Sequence, residues 1–193
     1  MKTLARLLPL GLLFLVSAGD APTLVPARDV TVTYRVVRAI SPGGPAKLVL
    51  RETASGAKIR VDSYIFLDAR TPYEGMIVDR QTSLVSMLVF ARRAVVESQI
   101  KDFAIPGITL MPDMRFQRRG DKTVAGFNCT DWDVTPASDD PWTACVTRDG
   151  VVLRATSAKW EVEATSVKFE PLLAGTFVPD KDLHRVVAEP TKS

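Results

Sequence analysis

Alternation of apolar and polar residues with a period of two is the pattern that most constrains the fold of this chain. Val30, Val32 and Tyr34 alternate with threonine and arginine, and similar runs follow along the sequence. Turn residues such as Ser55-Gly56 and Asp149-Gly150 separate these runs, which predicts roughly ten antiparallel strands at hairpin spacing. The predicted fold class is therefore all-β, a mainly antiparallel meander curled into a half-barrel or an incompletely closed β-barrel.

Helical periodicity is weak along the chain. Residues 95–103 place Val96, Ile100 and Phe103 at helical spacing before a Pro-Gly pair, which predicts a short helix there. Residues 172–186 are less regular and are consistent with a short helical turn. We therefore expect one or two short helices beside the strands.

The N-terminus has the pattern of a secretory signal peptide. Lys2 and Arg6 precede an apolar run over residues 7–16, and small residues follow. We predict cleavage after residue 18, with residue 21 as a second candidate. Because the run is too short to span a bilayer, we expect a periplasmic protein that is soluble after cleavage, with no stable membrane anchor.

Signal-peptide removal also changes the charge of the chain. The whole sequence has 25 basic and 22 acidic side chains; without Lys2 and Arg6 the counts are 23 and 22, a net charge of +1. Nucleic-acid binding proteins present a concentrated basic face, so we expect no nucleic-acid partner. The length predicts a single domain at residues 28–186, followed by a disordered tail at residues 187–193.

The chain has two cysteines, Cys129 and Cys145. In an exported protein, an even number of cysteines without metal-site spacing predicts a disulfide bond. If the two cysteines lie directly opposite each other in an antiparallel pair, Trp132 lies opposite Trp142. The tight turn that follows then places Val146 opposite Leu153.

This register assigns the side chains to two faces, because side chains alternate along a strand. The predicted core or cavity face holds Trp132, Val134, Trp142, Ala144, Val146, Leu153 and Ala155. The disulfide then lies on the opposite, outer face, beside Asp131 and Asp133.

Catalytic groups are scarce in the sequence. His184 is the one histidine and lies in a polar C-terminal segment, so a Ser-His-acid arrangement is not expected. Asp131 and Asp133 are candidates for a glycosidase-like carboxylate pair, but acids near a hairpin tip are usually solvated. We therefore predict no catalytic activity, no metal site and no cofactor.

Large apolar side chains are more abundant in the sequence than candidate catalytic groups. Methionine adapts to irregular apolar ligands, and a curled sheet can enclose such a ligand. The predicted ligand-binding residues are Trp132, Trp142, Val146, Leu153, Phe66, Met76, Met87 and Phe90. The alternative is that each of these side chains packs in an ordinary core.

Two stretches of sequence carry a resemblance to known proteins. One is Lys58–Asp79, with the runs KIRVD, YIFLD and MIVD; the other begins with VAGFNC at Val124 and continues through CVT, DGV and FVP. Together they resemble small periplasmic proteins of unknown function that are similar to the lipoprotein carrier superfamily, the LolA and LppX type. The resemblance implies an unclosed β-barrel of about eleven strands that is covered by helices and holds an acyl chain.

We therefore expect a non-catalytic periplasmic protein that binds a lipid-like or other apolar ligand. This function requires an apolar cavity of about a few hundred Å³ on the face of Trp132. The alternative is a module with a solid core that binds an envelope protein or inhibits a secreted enzyme. The hairpin tip Asp139-Asp140-Pro141 is the predicted contact in that case.

Overall fold

The computed structural model describes residues 21–137 and 140–187. The predicted signal peptide, residues 1–18, lies outside these ranges, as do residues 188–193 of the predicted tail and Asp139 of the predicted hairpin-tip contact. Twelve strands form one sheet: β1 (Val30–Arg38), β2 (Lys47–Glu52), β3 (Lys58–Tyr64), β4 (Glu74–Asp79), β5 (Leu84–Val89), β6 (Ala94–Gln99), β7 (Arg115–Val124), β8 (Phe127–Thr135), β9 (Trp142–Val146), β10 (Val152–Thr156), β11 (Glu161–Phe169) and β12 (His184–Val187).

The sheet order is β12-β6-β5-β4-β3-β2-β1-β11-β10-β9-β8-β7, and β7 and β12 are its two edges. All neighbouring strands pair antiparallel except β12, which runs parallel to β6. The predicted fold class, an all-β antiparallel meander that is not closed, is confirmed. Helical structure in the described ranges consists of short 3₁₀ turns at Ala54–Gly56, Phe90–Arg92 and Ala174–Phe177. No helix among the described residues is long and apolar enough to cross a membrane.

The period-two pattern buries one face of the sheet, which we call the inner face. Val30, Val32 and Tyr34 of β1 lie on it and are at most 1 % exposed. Leu50 lies opposite Val32, and Val61 lies opposite Leu50, so the apolar positions of neighbouring strands are in register. Burial of this continuous apolar surface provides most of the driving force for the fold.

The sheet has two ends, which we name by their connections. The upper end carries the β1–β2, β3–β4, β5–β6, β8–β9 and β10–β11 connections, and the lower end carries the others between paired strands. After β6 the chain is at the lower end, whereas β7 begins at the upper end and at the far edge of the sheet. The connecting segment must therefore cross the sheet.

This segment, residues 100–114, is the strap. Ile105, Ile108 and Leu110 of the strap are buried and belong to the same apolar cluster as the inner-face residues. The Thr109 hydroxyl shapes its central turn, because it accepts a hydrogen bond of 2.7 Å from the Ile105 backbone N–H. The strap thus fills the concavity that the curled sheet would otherwise leave open.

The N-terminal segment, residues 21–29, closes the lower end. The Ala27 N–H donates to the Asp149 carbonyl, and the Ser55 N–H donates to the carbonyl of the buried Pro26. Described residues before the predicted domain start at 28 are therefore part of the packed structure. The predicted tail likewise begins one residue inside β12, which ends at Val187.

The C-terminal segment, residues 170–183, covers the outer face, and we call it the arm. Phe177 of the arm packs with Ile77, Leu88 and Val95 in a second apolar cluster. The Arg60 guanidinium donates to the Thr176 carbonyl at 3.1 Å and so links the arm to β3. Part of the sheet is therefore covered on both faces, which explains why several strands read as continuous apolar runs rather than strict alternation.

The predicted helix at 95–103 is wrong. Ala94–Gln99 forms strand β6, in which Val95 is buried in the outer cluster and Val96 points to the other face. The helical spacing of Val96, Ile100 and Phe103 spans the end of the strand and the start of the strap.

The disulfide between Cys129 and Cys145 is confirmed, with a Cα–Cα distance of 5.4 Å. The predicted register is wrong by two residues, because Asp131 lies opposite Cys145 and Val134 lies opposite Trp142. The cysteines are thus diagonal neighbours, which are still within reach of each other on one face. Both are at most 4 % exposed, so the bridge is buried rather than placed on an exposed outer face.

The shift by an even number leaves the side-chain faces unchanged. The residues predicted for the core or cavity face are all buried: Trp132, Val134, Trp142, Ala144, Val146, Leu153 and Ala155. Ala155 lies opposite Ala144 as predicted, but a bulge brings Val152, rather than Leu153, opposite Val146.

Candidate functional site

The upper end carries a groove between the strap and the connections of the sheet. Two adjoining cavities form it, an inner one of about 210 Å³ and an outer one of about 420 Å³, and they share Ala104, Met114 and Pro136. The other described residues of the inner cavity are Ile40, Ile105, Pro106, Thr109, Asp140, Trp142, Ser157, Lys159 and Trp160; those of the outer cavity are Asp102, Met111, Pro112, Asp113 and Ala137. We refer to both together as the upper groove.

Two tryptophans form the apolar wall of the inner cavity. The rings of Trp142 and Trp160 have centroids 5.7 Å apart and planes inclined by 55°. Trp142 is 6 % exposed, whereas Trp160 is half-buried. Such a tilted aromatic pair provides a large apolar surface whose geometry is fixed by packing.

The β10–β11 turn and the strap position Trp160. The Ser157 hydroxyl accepts hydrogen bonds from the backbone N–H groups of Lys159 and Trp160 at 3.0 and 3.1 Å. On the other side, Gly107 lies directly against the ring of Trp160. Gly107 has a φ of +73°, which a residue without a Cβ adopts most readily.

The rim of the groove is charged. Lys159 pairs with Asp140 at 2.6 Å above the inner cavity, and both side chains are more than 60 % exposed. Asp102 and Asp113 are among the residues that line the outer cavity. The groove therefore combines an apolar wall with a negatively charged outer cavity.

A separate cavity of about 380 Å³ lies at the lower end, beside the disulfide. Its lining includes Trp132 and Val146 together with the polar residues Asp121, Thr130 and Thr147. The pKa of the Asp121 carboxyl is lowered because it accepts hydrogen bonds from Thr130 and Arg118. Both carboxylate oxygens of Asp121, which borders the cavity, therefore accept hydrogen bonds from neighbouring side chains.

The predicted ligand-binding residues do not form one site. Trp142 lies in the upper groove, and Trp132 and Val146 line the lower cavity. The remaining predicted residues lie elsewhere: Leu153 and Met76 in or against the inner core, Phe90 against the outer cluster, and Phe66 and Met87 exposed. Sequence reasoning missed Trp160, Ile40 and Ile105, because only the crossing of the strap brings these distant positions together.

The two acids considered for catalysis form ion pairs with basic side chains of the neighbouring strand. Asp131 forms an ion pair with Lys122, and Asp133 forms one with Arg119 at 2.8 Å. His184 is exposed at the start of β12, where its backbone N–H donates to the Arg93 carbonyl. Among residues 21–137 and 140–187, no group of three histidine, cysteine, aspartate or glutamate side chains is arranged to hold a metal ion.

Glu52 is a buried carboxyl on the inner face near the lower end. It lies opposite Val30 and Ile59, and burial raises its pKa to about 7, although the charge of Arg80 acts in the opposite direction. Burial and the nearby Glu52 also raise the pKa of Tyr34, whose hydroxyl donates to the Val152 carbonyl at 2.6 Å. Because the core encloses both side chains, we interpret Glu52 and Tyr34 as structural residues of the fold.

Comparison with known proteins gives a likeness of fold. No protein-family model matches the chain, and no curated protein matches it in sequence. An uncharacterized conserved protein from Thermus thermophilus matches at a TM-score of 0.57 and 12 % identity, over 84 % of this chain and 91 % of that one. PNGF-II matches at 0.51 and 17 %, over 84 % of this chain and 32 % of that one. MucB matches at 0.49 and 14 %, over 82 % and 60 %.

Identities this low show the shared fold alone. The chain spans about a third of PNGF-II and 60 % of MucB, so the activities of those whole proteins are not transferred to it.

Proposed function

We propose that this chain is a non-catalytic, exported binding module that holds an apolar segment of another envelope protein in the upper groove. The observation that carries this proposal is the wall of Trp142 and Trp160 beside Ile40, which is 72 % exposed. Tryptophan is enriched among the residues that dominate binding energy at protein interfaces. An exposed isoleucine at the edge of a tryptophan cleft provides the surrounding apolar surface.

The dimensions of the groove favour a peptide segment. An inner cavity of about 210 Å³ accommodates roughly one large apolar side chain, and the outer cavity of about 420 Å³ accommodates the residues next to it. Asp102 and Asp113 in the outer cavity favour a basic residue beside the apolar anchor. The expected recognition motif is therefore an aromatic or large aliphatic residue followed or preceded by lysine or arginine.

The packing of the strap on the inner face favours a binding site in the upper groove over one inside the sheet. Ile105, Ile108 and Leu110 of the strap are between 2 and 7 % exposed against that face. A ligand between the strap and the inner face would have to displace these three side chains. The absence of catalysis is part of the proposal, and it is supported by the ion pairs that engage Asp131 and Asp133.

The test uses fluorescein-labelled synthetic peptides and fluorescence anisotropy. One peptide carries a tryptophan flanked by lysines, and its partner carries the same tryptophan flanked by glutamates. We expect the lysine peptide to bind more tightly by about tenfold or more. Ile40→Asp should abolish binding, whereas the matched control Val178→Asp, at a 53 % exposed position on the arm, should not.

Two outcomes would refute the proposal. One is equal binding of the lysine and glutamate peptides together with unchanged binding by Ile40→Asp. The other is the absence of saturable binding by either peptide to the folded protein.

A lipid-like ligand is the second candidate, and the apolar character of the strap favours it. An acyl chain that displaced Ile105, Ile108 and Leu110 would contact the apolar inner face predicted from the sequence. Native mass spectrometry of protein purified after export is expected to show a co-purifying lipid in that case. A lipid held between the strap and the inner face should co-purify with Ile40→Asp as well as with the unchanged chain.

A further inference from the structure

The β3–β4 connection presents three consecutive apolar side chains to solvent. Ile65, Phe66 and Leu67 are 37, 66 and 56 % exposed, and we call them the apolar tip. A run of exposed apolar residues is unfavourable in a surface loop unless it has a function. The apolar tip lies at the upper end but lines neither cavity of the upper groove.

The fold holds the apolar tip in place. The Ala69 N–H donates to the Phe66 carbonyl at 3.3 Å, which closes a turn with Leu67 and Asp68 at its centre. The Lys47 ammonium donates to the Ala69 carbonyl at 2.7 Å and lies 4.2 Å from the centre of the Tyr64 ring. The exposure of Phe66 and Leu67 therefore belongs to a turn that is hydrogen-bonded to the neighbouring strand.

Positive charge surrounds the apolar tip. The three adjacent upper loops, residues 38–47, 64–74 and 89–94, contain five basic side chains, namely Arg38, Lys47, Arg70, Arg92 and Arg93, and two acidic ones, Asp68 and Glu74. Arg38 contacts Glu161 at 3.9 Å and Arg93 contacts Asp182 at 3.4 Å. The three loops therefore carry a formal net charge of 5 − 2 = +3 around the apolar tip.

From this geometry we infer that the apolar tip inserts into the interface of an anionic lipid bilayer. A protruding turn that carries phenylalanine and leucine needs no matching pocket in a bilayer, because the acyl boundary adapts to its shape. Apolar side chains at the level of the headgroups and basic side chains near anionic lipids are the two contributions to interfacial binding. Docking of this kind would place the upper groove, through its residue Ile40, close to the membrane surface.

Vesicle co-sedimentation tests the inference with protein that has been purified after export and whose N-terminus has been checked by mass spectrometry. We expect binding to vesicles that contain phosphatidylglycerol and weaker binding to phosphatidylcholine alone. High salt should reduce the binding to phosphatidylglycerol vesicles to the level of phosphatidylcholine, because it screens only the charge contribution, and Phe66→Ser with Leu67→Ser should remove binding to phosphatidylcholine and weaken binding to phosphatidylglycerol. The matched control is Leu173→Ser, at an 80 % exposed position on the arm, which should bind like the unchanged protein. Arg70→Glu with Arg92→Glu should weaken binding to the anionic vesicles by about tenfold.

Three results would overturn the inference. The first is that the unchanged protein does not bind anionic vesicles. The second is that the Phe66 and Leu67 double variant binds them equally well, which would indicate charge attraction alone. The third is that this double variant changes the oligomeric state in analytical ultracentrifugation, which would assign the apolar tip to contact between two copies of the chain. The peptide assay contains no vesicles, so its failure and the failure of bilayer docking are separate results.

Discussion

Gly107 lies against the six-membered ring of Trp160, so that a Cβ atom at position 107 would overlap Cζ3 and Cη2 of the indole. Gly107→Ala is therefore expected to push the strap away from the upper end and to destabilise the protein by about 2 kcal/mol or more. Chemical denaturation measures the change. The expected companion effect is weaker binding at the upper groove.

Gly43→Ala is the matched control for this substitution. Gly43 has a φ of +76°, close to that of Gly107, but no atom lies within 4 Å of its Cβ position. Gly43→Ala should lower the free energy of unfolding by only about 1 kcal/mol, the cost of a positive φ at a residue that has a Cβ. Equal losses for the two variants would show that the contact with Trp160 contributes nothing.

The disulfide closes a loop with a sequence separation of 16 residues that contains the β8–β9 connection. Replacement of Cys129 and Cys145 by alanine should lower the free energy of unfolding by about 3 kcal/mol, because the unfolded chain regains the entropy of that loop. Urea denaturation of the variant and of the unchanged protein, with and without reductant, measures the loss. Reductant should leave the variant unaffected, and a stability of the variant equal to that of the oxidised protein would contradict the expectation.

Local sequence pattern was sufficient for the sheet and insufficient for the site. The alternation at Val30, Val32 and Tyr34 identifies a strand because these side chains share one face of it, and residues of several neighbouring strands bury that face. The register of Cys129 and Cys145 was missed because a disulfide forms between diagonal as well as directly opposite neighbours. An even shift preserved the faces, so the burial of Trp132 and Trp142 was still predicted.

The path of the strap is the main reason why the upper groove was not predicted from the sequence. Its buried residues Ile105, Ile108 and Leu110 follow no strand or helix period, and its path depends on where β6 and β7 lie in the finished sheet. Position 160 therefore meets position 107 only after the chain has crossed the inner face. The predicted helix at 95–103 failed for a related reason, since Val95 is buried under the arm and Val96 points to the other face of the sheet, so the two residues need no common helical face.

Phe177 anchors the arm to the outer face, where it is 8 % exposed beside Leu88 and Val95. Phe177→Ala should destabilise the protein by about 3 kcal/mol and expose the arm to proteases, because the substitution removes most of a buried aromatic side chain. Limited proteolysis followed by mass spectrometry should locate the first cleavage in residues 170–183. Leu173→Ala, at a position of the same arm that is 80 % exposed, should change neither stability nor cleavage. If both variants were cleaved at the same rate, Phe177 would not be the anchor.

Glu52 should make the stability of the protein depend on pH in an unusual direction for a carboxyl group. Burial raises its pKa in the folded protein to about 7 from an ordinary value of 4.5. Between these two values the folded chain retains a proton that the unfolded chain has released, so this contribution to stability is fully present below pH 4.5 and is lost as the pH rises through 7. The loss is on the order of 3 kcal/mol.

Glu52→Gln tests this expectation because glutamine does not ionise. The difference in unfolding free energy between the variant and the unchanged protein should rise between about pH 5 and pH 7.5 in favour of the variant. The pKa values of Asp29 and Asp79 are lowered from 3.8, so these two groups change the stability of the protein only below about pH 3.8, outside this range. Parallel stability curves for Glu52→Gln and the unchanged protein would mean that the buried carboxylate is fully compensated by Arg80.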